Sequence, residues 1–155
     1  MFISLIRPST VTSTDAAGQD AAPPVGLAYI AANLIQNNHK VEVVDALGEA
    51  LDQYLPVDGV PKALQHGLSD QEVVNRISKD VDLICVSCMF SLEWPFTRNL
   101  INAIREAFPE TPIAVGGEHV TACTEFVLKD CPAVSICAIG EGEETLVELA
   151  NELEK

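Results

Sequence analysis

The feature that most constrains the fold of this chain is a junction that occurs three times, in which an apolar run ends in a loop of small or polar residues. The junctions lie at residues 81–91, 112–119 and 134–143. Helix-like segments follow the junctions, and alternating strands and helices form a parallel sheet whose strands all end at one edge. Open α/β sheets bind ligands outside that edge. The pattern therefore predicts a ligand site where these strands end.

Periodicity along the rest of the chain predicts an α/β fold with five strand–helix units. Strands are expected at 2–6, 40–45, 81–88, 112–115 and 133–139. Helices are expected at about 23–38, from 69 or 70 onward, from 95, at 120–129 and at 143–154. We expect a five-stranded parallel sheet in the flavodoxin-like order 2-1-3-4-5, Rossmann-like, with helices on both faces.

The whole chain, 1–155, is expected to be one domain, with one less regular segment. Residues 46–68 contain Pro56, Gly59 and Pro61. They are interpreted as an irregular excursion between the second strand and the second helix, with about one helical turn near 49–54. Ser69 and Glu72 have the spacing of a capping box, which predicts the start of the second helix.

Charge and cysteine content exclude several classes of partner. Nine basic residues against 23 acidic residues give a net charge of −14, which disfavours nucleic acid and anionic membrane. The five cysteines are an odd number and lie mostly in or beside apolar runs, as expected of reduced thiols. No run has the length of a membrane span, and the first residues do not have the pattern of a signal peptide. We therefore expect a cytoplasmic protein.

The sequence lacks the common nucleotide-binding devices. Neither a Gly-x-Gly-x-x-Gly after the first strand nor a P-loop is present. The third strand ends in Cys-Met-Phe and not in aspartate, and no lysine ends the fifth strand, which disfavours a phosphoacceptor receiver. Arg7 is an exception among strand-end loops that are nearly free of basic residues. A bulky ligand with a single phosphodiester suits this edge better than a dianionic phosphate.

Four segments resemble, in order and in spacing, the N-terminal cobalamin-binding domain of B12-dependent radical SAM enzymes. They are Pro23–Leu34, His39–Ala46, Val115–Ala122 and Gly140–Leu146. The resemblance covers nearly the whole chain and implies the same five-stranded sheet. It also implies a corrin ring over the carboxyl ends of the strands and a nucleotide tail in a groove beside the fourth and fifth strands.

The resemblance implies a set of cofactor-binding residues. Near the ring these are Ser87, Cys88, Met89, Phe90, Ser91 and Trp94. At the two later strand ends they are Gly116, Gly117, Glu118, His119, Gly140, Glu141, Gly142 and Glu143. The glycines would let the backbone approach the tail, and N–H groups at Gly140 and Gly142 would bind its phosphate. Residues 8–22 would face the ring.

Some of these residues have a second interpretation. Glu141 and Glu143 would bind ribose hydroxyls, stabilise a helix N-terminus, or do both. His119 would contact the tail or, as a less favoured alternative, the cobalt, or it would only hydrogen-bond a neighbour at the start of its helix. Met89, Phe90 and Trp94 would pack on the ring or fill the core. Cys85 and Cys88, three apart on a strand, point to opposite faces. They could bind one metal only if the strand ended between them, and we expect Cys85 in the core and Cys88 at the edge.

Two departures define the expected chemistry. The Asp-x-His-x-x-Gly motif of methionine-synthase-type carriers is absent, since the loop after the first strand has Asp15 and Asp20 but no histidine. Cobalamin would then bind base-off, without a histidine from this loop beneath the cobalt. The three-cysteine motif of the radical SAM barrel is also absent from this chain. The resemblance therefore assigns the 4Fe-4S cluster and S-adenosylmethionine to a partner domain, in cis or in trans.

The resulting expectation is a cobalamin module of a radical SAM methyltransferase or cyclase-like enzyme, with no catalytic residue of its own. One alternative is a stand-alone cobalamin carrier or sensor. A flavodoxin-like FMN protein is less favoured, because no phosphate-binding loop joins the first strand closely to its helix.

Overall fold

A five-stranded parallel sheet forms the centre of the computed structural model, which describes residues 1–16 and 21–155. The described residues form eight strands, which are Phe2–Arg7 (β1), Thr10–Ser13 (β2), Lys40–Asp45 (β3), Tyr54–Pro56 (β4), Ala63–His66 (β5), Leu83–Ser87 (β6), Ile113–Gly116 (β7) and Ile136–Cys137 (β8). The parallel sheet has the order β3-β1-β6-β7-β8. This is the predicted 2-1-3-4-5 order, so the fold class is confirmed.

Helices cover both faces of this sheet. They are Val25–Gln36 (α1), Asp70–Arg76 (α2), Trp94–Ala107 (α3), Glu118–Asp130 (α4) and Gly142–Leu153 (α5). Short 3-10 helices lie at Gly48–Ala50 and Ser91–Glu93. In the described part of the chain, no helix has the length and apolar character that crossing a membrane requires.

The alternation of side chains along β1 divides the core into two layers. Ile3 and Leu5 pack with buried residues of α1 and α5. Phe2 and Ile6 pack on the other face, with buried residues of α2, α3 and α4. This double-sided burial explains why the central strands are apolar along their whole length.

The predicted capping box starts α2. The Ser69 hydroxyl accepts a hydrogen bond from the Glu72 N–H at 3.3 Å, and the Glu72 carboxylate accepts one from the Ser69 N–H at 2.8 Å. Both bonds satisfy donors that a helix start leaves unpaired.

Residues 46–68 differ from the expected irregular excursion. They contain the 3-10 turn at Gly48–Ala50 and the antiparallel strands β4 and β5. β5 also pairs with β2, which lies in the loop after β1, and the three form a sheet of order β2-β5-β4. The proline and glycine signals fall at the end of β4 and in the turn before β5, where Gly59 has a φ of +75°. These residues therefore shape a hairpin and do not prevent strand formation.

Candidate functional site

Two adjoining clefts open at the edge where the parallel strands end, which we call the carboxyl edge. The first cleft, of about 240 Å³, lies between the starts of α1 and α5 and the ends of β6, β7 and β8. The second cleft, of about 170 Å³, lies between the ends of β1 and β6. Ser87 and Met89 line both clefts, so the two clefts adjoin at the end of β6.

The first cleft brings together most of the predicted tail-binding residues. Its predicted members are Ser87, Met89, Gly116, Gly117, Glu118, Gly140, Glu141, Gly142 and Glu143. Its other lining residues are Gly26, Leu27, Cys85, Val86, Val115, Thr121, Ala138 and Leu146. None of these lining residues is a lysine or an arginine, so no lining side chain can neutralise the charge of a bound anion.

The glycines of the first cleft differ in role: some pack closely against neighbouring residues, and others leave space in the cleft. A Cβ added to Gly117, whose φ is +112°, would lie 2.4 Å from the Cys88 carbonyl oxygen. A Cβ on Gly142 would lie 2.8 Å from Ile30 Cδ1. Around Gly140 and Gly26, by contrast, an added Cβ meets nothing within 4 Å. The fold requires glycine at Gly117, where the clash is with backbone, whereas at Gly142 the flexible end of Ile30 can move aside and the second pair leaves the cleft open.

Backbone N–H groups at the start of α5 lie at the first cleft. The first N–H groups of an α-helix have no partner within the helix and carry a positive partial charge. Asn33 fixes this turn to α1 by donating a hydrogen bond from Nδ2 to the Glu143 carbonyl at 2.7 Å. The Gly140 N–H, which was expected to face a phosphate, donates instead to Thr121 Oγ1 at 3.1 Å. The first cleft is thus bordered by the start of α5 and, at Gly117 and Glu118, by the start of α4.

The second cleft combines polar groups with exposed apolar side chains. It is lined by Arg7, Pro8, Thr10, Leu47, Ser87, Met89, Phe90 and Glu93. Thr10 Oγ1 donates a hydrogen bond to Glu93 Oε1 at 2.5 Å, across the gap between the loops that follow β1 and β6. Met89 and Phe90 are 48% and 65% exposed. Large apolar side chains left open beside polar groups at the end of a sheet are typical of a ligand site.

Comparison with known families identifies the ligand. A family model described as "B12 binding domain" matches residues 15–150. The chain belongs to the B12-binding domain family. Its cofactor is accordingly cobalamin, and the geometry above fits this molecule, because a single phosphodiester requires only the N–H groups of a helix start.

Two curated relatives extend far beyond this B12-binding domain. The cytidylyl-2-hydroxyethylphosphonate methyltransferase of Streptomyces wedmorensis is 32% identical over 126 residues, which are 80% of this chain and 23% of that protein. An uncharacterized methyltransferase of Pyrococcus horikoshii is 26% identical over 156 residues, which are 100% of this chain and 30% of that protein. The chain therefore spans less than a third of the length of these relatives.

A solved structure supports the fold of the B12-binding domain and nothing further. A response regulator protein from Burkholderia multivorans superposes with a TM-score of 0.51 at 19% identity. The superposition covers 99% of this chain and 94% of that protein. At this identity the likeness concerns the five-stranded α/β architecture alone.

Four predicted residues of the B12-binding domain line neither cleft, namely Cys88, Ser91, Trp94 and His119. Cys88 is 1% exposed and donates its N–H to the Gly116 carbonyl at 2.8 Å, so the expected edge position of its side chain is wrong. Trp94 is buried in the same core layer, and its Nε1 donates to Asp130 Oδ2 at 2.9 Å. Strand alternation explains the first case, because Cys88 points toward α3 and α4, opposite to Cys85.

His119 is also directed into the protein. Its Nδ1 lies 2.9 Å from Ser91 Oγ, and its ring centroid lies 5.3 Å from that of Trp94. Within the described residues its Nε2 has no hydrogen-bond partner, and burial lowers the pKa of the imidazole. Ser91 is thereby engaged with His119, and neither residue lines the two clefts.

The metal-ligating side chains that line the two clefts are carboxylates and one buried thiol, Cys85. The lining residues of the two clefts include no histidine. Burial raises the pKa of the Cys85 thiol to about 12, so that thiol is neutral near pH 7. No group of three or more His, Cys, Asp or Glu residues suited to a metal occurs in the described ranges.

The sequence analysis missed two groups of lining residues. Gly26 and Leu27 belong to a segment that had been used only for recognition, so a signal for them was present. Thr10 and Glu93 lie 83 positions apart, and only the fold brings them together. Of the loop that was expected to face the ring, Pro8 and Thr10 line the second cleft. Residues 17–20, which include Gly18 and Asp20, lie outside the described residues.

Proposed function

We propose that this chain is the cobalamin-binding module of a methyltransferase, and that a radical SAM domain in cis or in trans performs the catalysis. Two observations support a methyltransferase role. Both curated relatives are named methyltransferases, and both are more than three times as long as the part that this chain covers. The radical SAM partner rests on the four-segment resemblance described above. Cobalamin supplies a cobalt ion that can carry a methyl group between a donor and an acceptor.

The first cleft is proposed to hold the nucleotide tail. The observation that carries this assignment is the start of α5 at a cleft whose lining has no cationic side chain. The N–H groups of Gly142 and Glu143 would bind the phosphodiester. The carboxylates of Glu141 and Glu143 would accept hydrogen bonds from ribose hydroxyls, and Leu27 and Leu146 would contact the base. The exposed Met89 and Phe90 would then pack against the corrin ring.

Binding is proposed to be base-off, with no nitrogen on the cobalt either from this chain or from the cofactor's own base. Neither cleft is lined by a histidine, and His39, His66 and His119 are all buried. Electron paramagnetic resonance of bound cob(II)alamin tests this state. A spectrum without nitrogen superhyperfine splitting supports it, whereas a resolved triplet on each cobalt line contradicts it.

A matched pair of substitutions on α1 tests the location of the tail. Gly26→Phe inserts a ring into the first cleft at a position where an added Cβ meets nothing within 4 Å. Ala32→Phe adds the same ring to an exposed position of the same helix that does not line the cleft. In titrations with hydroxocobalamin, we expect Gly26→Phe to weaken binding by about tenfold or more, with Ala32→Phe unchanged. Equal affinities for the two variants would refute the assignment.

The partner domain has a separate test. Sequencing the gene and its neighbours for the three-cysteine cluster motif distinguishes a partnered module from a stand-alone carrier. A radical SAM domain in the same gene, or one that co-purifies with this chain, supports the proposal. A cobalamin-loaded protein with neither supports the carrier.

A further inference from the structure

We propose that Glu93 makes the second cleft selective for corrinoids whose ring periphery is uncharged. The chemical class that it recognises is the primary carboxamide, and the class that it rejects is the corresponding carboxylate. This inference rests on the proposed function, since it takes the second cleft as the part of the site that faces the corrin ring.

Two elements fix the position of the Glu93 side chain. Glu93 ends the 3-10 turn that precedes α3, and its N–H donates to the Phe90 carbonyl at 3.0 Å. From the opposite wall, Thr10 Oγ1 donates to Oε1 at 2.5 Å. Thr10 is itself held as the first residue of β2, where it pairs with His66 of β5. The three-stranded sheet therefore anchors the partner of Glu93, and the carboxylate is oriented before a ligand arrives.

The charge of Glu93 is not neutralised locally. Arg7 is the one basic residue among those that line the second cleft. Its Nη1 donates to the Ala22 carbonyl at 2.8 Å and lies 3.4 Å from Asp45 Oδ1. Across residues 1–16 and 21–155, Glu93 forms no salt bridge. Its second oxygen therefore offers an acceptor and a negative charge to the cleft.

The amide side chains of the corrin ring are suited to the Glu93 carboxylate, whereas the corresponding acids are not. The corrin ring of cobalamin carries primary amide side chains around its edge, and an amide N–H₂ donates to a carboxylate. Mild acid hydrolysis converts one such amide into a carboxylate and gives cobalamin monocarboxylic acids. An acid at the position that faces Glu93 would place two like charges together in a partly desolvated cleft. The same residue would thus accept cobalamin and reject its hydrolysed form.

The test compares the affinities of hydroxocobalamin and of its separated monocarboxylic acid isomers. We expect the protein to bind cobalamin at least about tenfold more tightly than one of the isomers. Glu93→Gln keeps the shape and removes the charge, and we expect it to bring this ratio to within about threefold. Glu148→Gln, an exposed position on α5 away from both clefts, should leave the ratio unchanged.

The outcomes separate this inference from the proposed function. Cobalamin binding by Glu93→Gln shows that this variant is folded. If Glu93→Gln does not fold, Glu93→Ser is used in its place. If the protein binds cobalamin but does not discriminate between the amide and the acids, or if Glu93→Gln keeps the full discrimination, the inference is overturned alone. If the protein binds no cobalamin at all, both proposals fail.

Discussion

Gly117 packs directly against the backbone of Cys88, so that a Cβ on Gly117 would lie 2.4 Å from the Cys88 carbonyl oxygen. The contact joins the loops after β6 and β7, where these strands end. Gly117 also has a φ of +112°, a conformation that residues with a side chain rarely adopt. Two independent constraints therefore require glycine at this position.

Gly117→Ala is expected to lower the free energy of unfolding by about 3 kcal/mol, because it adds a clash with backbone to conformational strain. Gly140→Ala is the matched control. Gly140 has a φ of +77°, but an added Cβ meets nothing within 4 Å, so only strain of about 1–2 kcal/mol is expected. Chemical denaturation of both variants measures the difference. Equal losses would mean that the Cys88 contact contributes nothing.

Ser4 and Ser9 allow the same substitution with opposite expectations. Both are buried, but Ser4 Oγ has no hydrogen-bond partner among the described residues, whereas Ser9 Oγ donates to the Leu68 carbonyl. A buried hydroxyl without a partner is unfavourable, so Ser4→Ala should leave stability unchanged or raise it by up to about 1 kcal/mol. Ser9→Ala should cost about 0.5–1.5 kcal/mol, since it removes one of two hydrogen bonds to the Leu68 carbonyl, which also accepts from Gln65 Nε2 at 3.0 Å. Thermal denaturation measures the stability of the two variants. A larger loss of stability for Ser4→Ala than for Ser9→Ala would contradict this account.

The cysteines are expected to differ in reactivity. Burial raises the pKa of Cys85 to about 12 and that of Cys88 to about 11, so neither forms a thiolate in neutral buffer. Cys123 is partly exposed and should react first with a thiol reagent such as Ellman's reagent. Mass spectrometry of the labelled, folded protein at pH 8 identifies the sites. Rapid labelling of Cys85 or Cys88 in the folded protein would contradict the burial of these thiols near the end of β6.

Glu72 gives the capping box a defined pH dependence. Hydrogen bonds from Gln53 and from Ser69 lower the pKa of this carboxyl from 4.5 to about 2. Because the pKa is depressed in the folded state, the stabilisation is complete above about pH 4.5 and is lost as the pH falls toward about 2. Glu72→Gln should therefore lose less stability than the unmodified protein between pH 6 and pH 3. Urea titrations at pH 6 and pH 3 measure the stability of both proteins. Equal losses of stability for Glu72→Gln and for the unmodified protein would argue against these hydrogen bonds.

Much of the architecture was predictable because its signals are local. Lys40–Asp45 was predicted with the boundaries that the structure has. The strand order followed from the alternation of elements, and the pair Ser69 and Glu72 marked the start of α2. These features depend on residues that are neighbours in the sequence or on general rules of handedness.

The features that were not predicted depend on contacts between distant residues. The strand Thr10–Ser13 pairs with Ala63–His66, and four-residue strands give weak periodicity. Trp94 was expected either beside the ring or in the core, and the structure buries it in the core, where it donates a hydrogen bond to Asp130. In the site, the glycine-containing junctions were found, whereas Thr10 and Glu93 were not, because their partnership exists only in the folded chain.

The most direct test of the central claim is the cobalt content of the folded protein after incubation with hydroxocobalamin and desalting. The account predicts about one cobalt per chain, together with a changed visible spectrum of the retained cobalamin. It also predicts that Gly26→Phe retains far less cobalt, while Ala32→Phe retains as much as the unmodified protein. Folded protein that emerges colourless and free of cobalt would contradict the account.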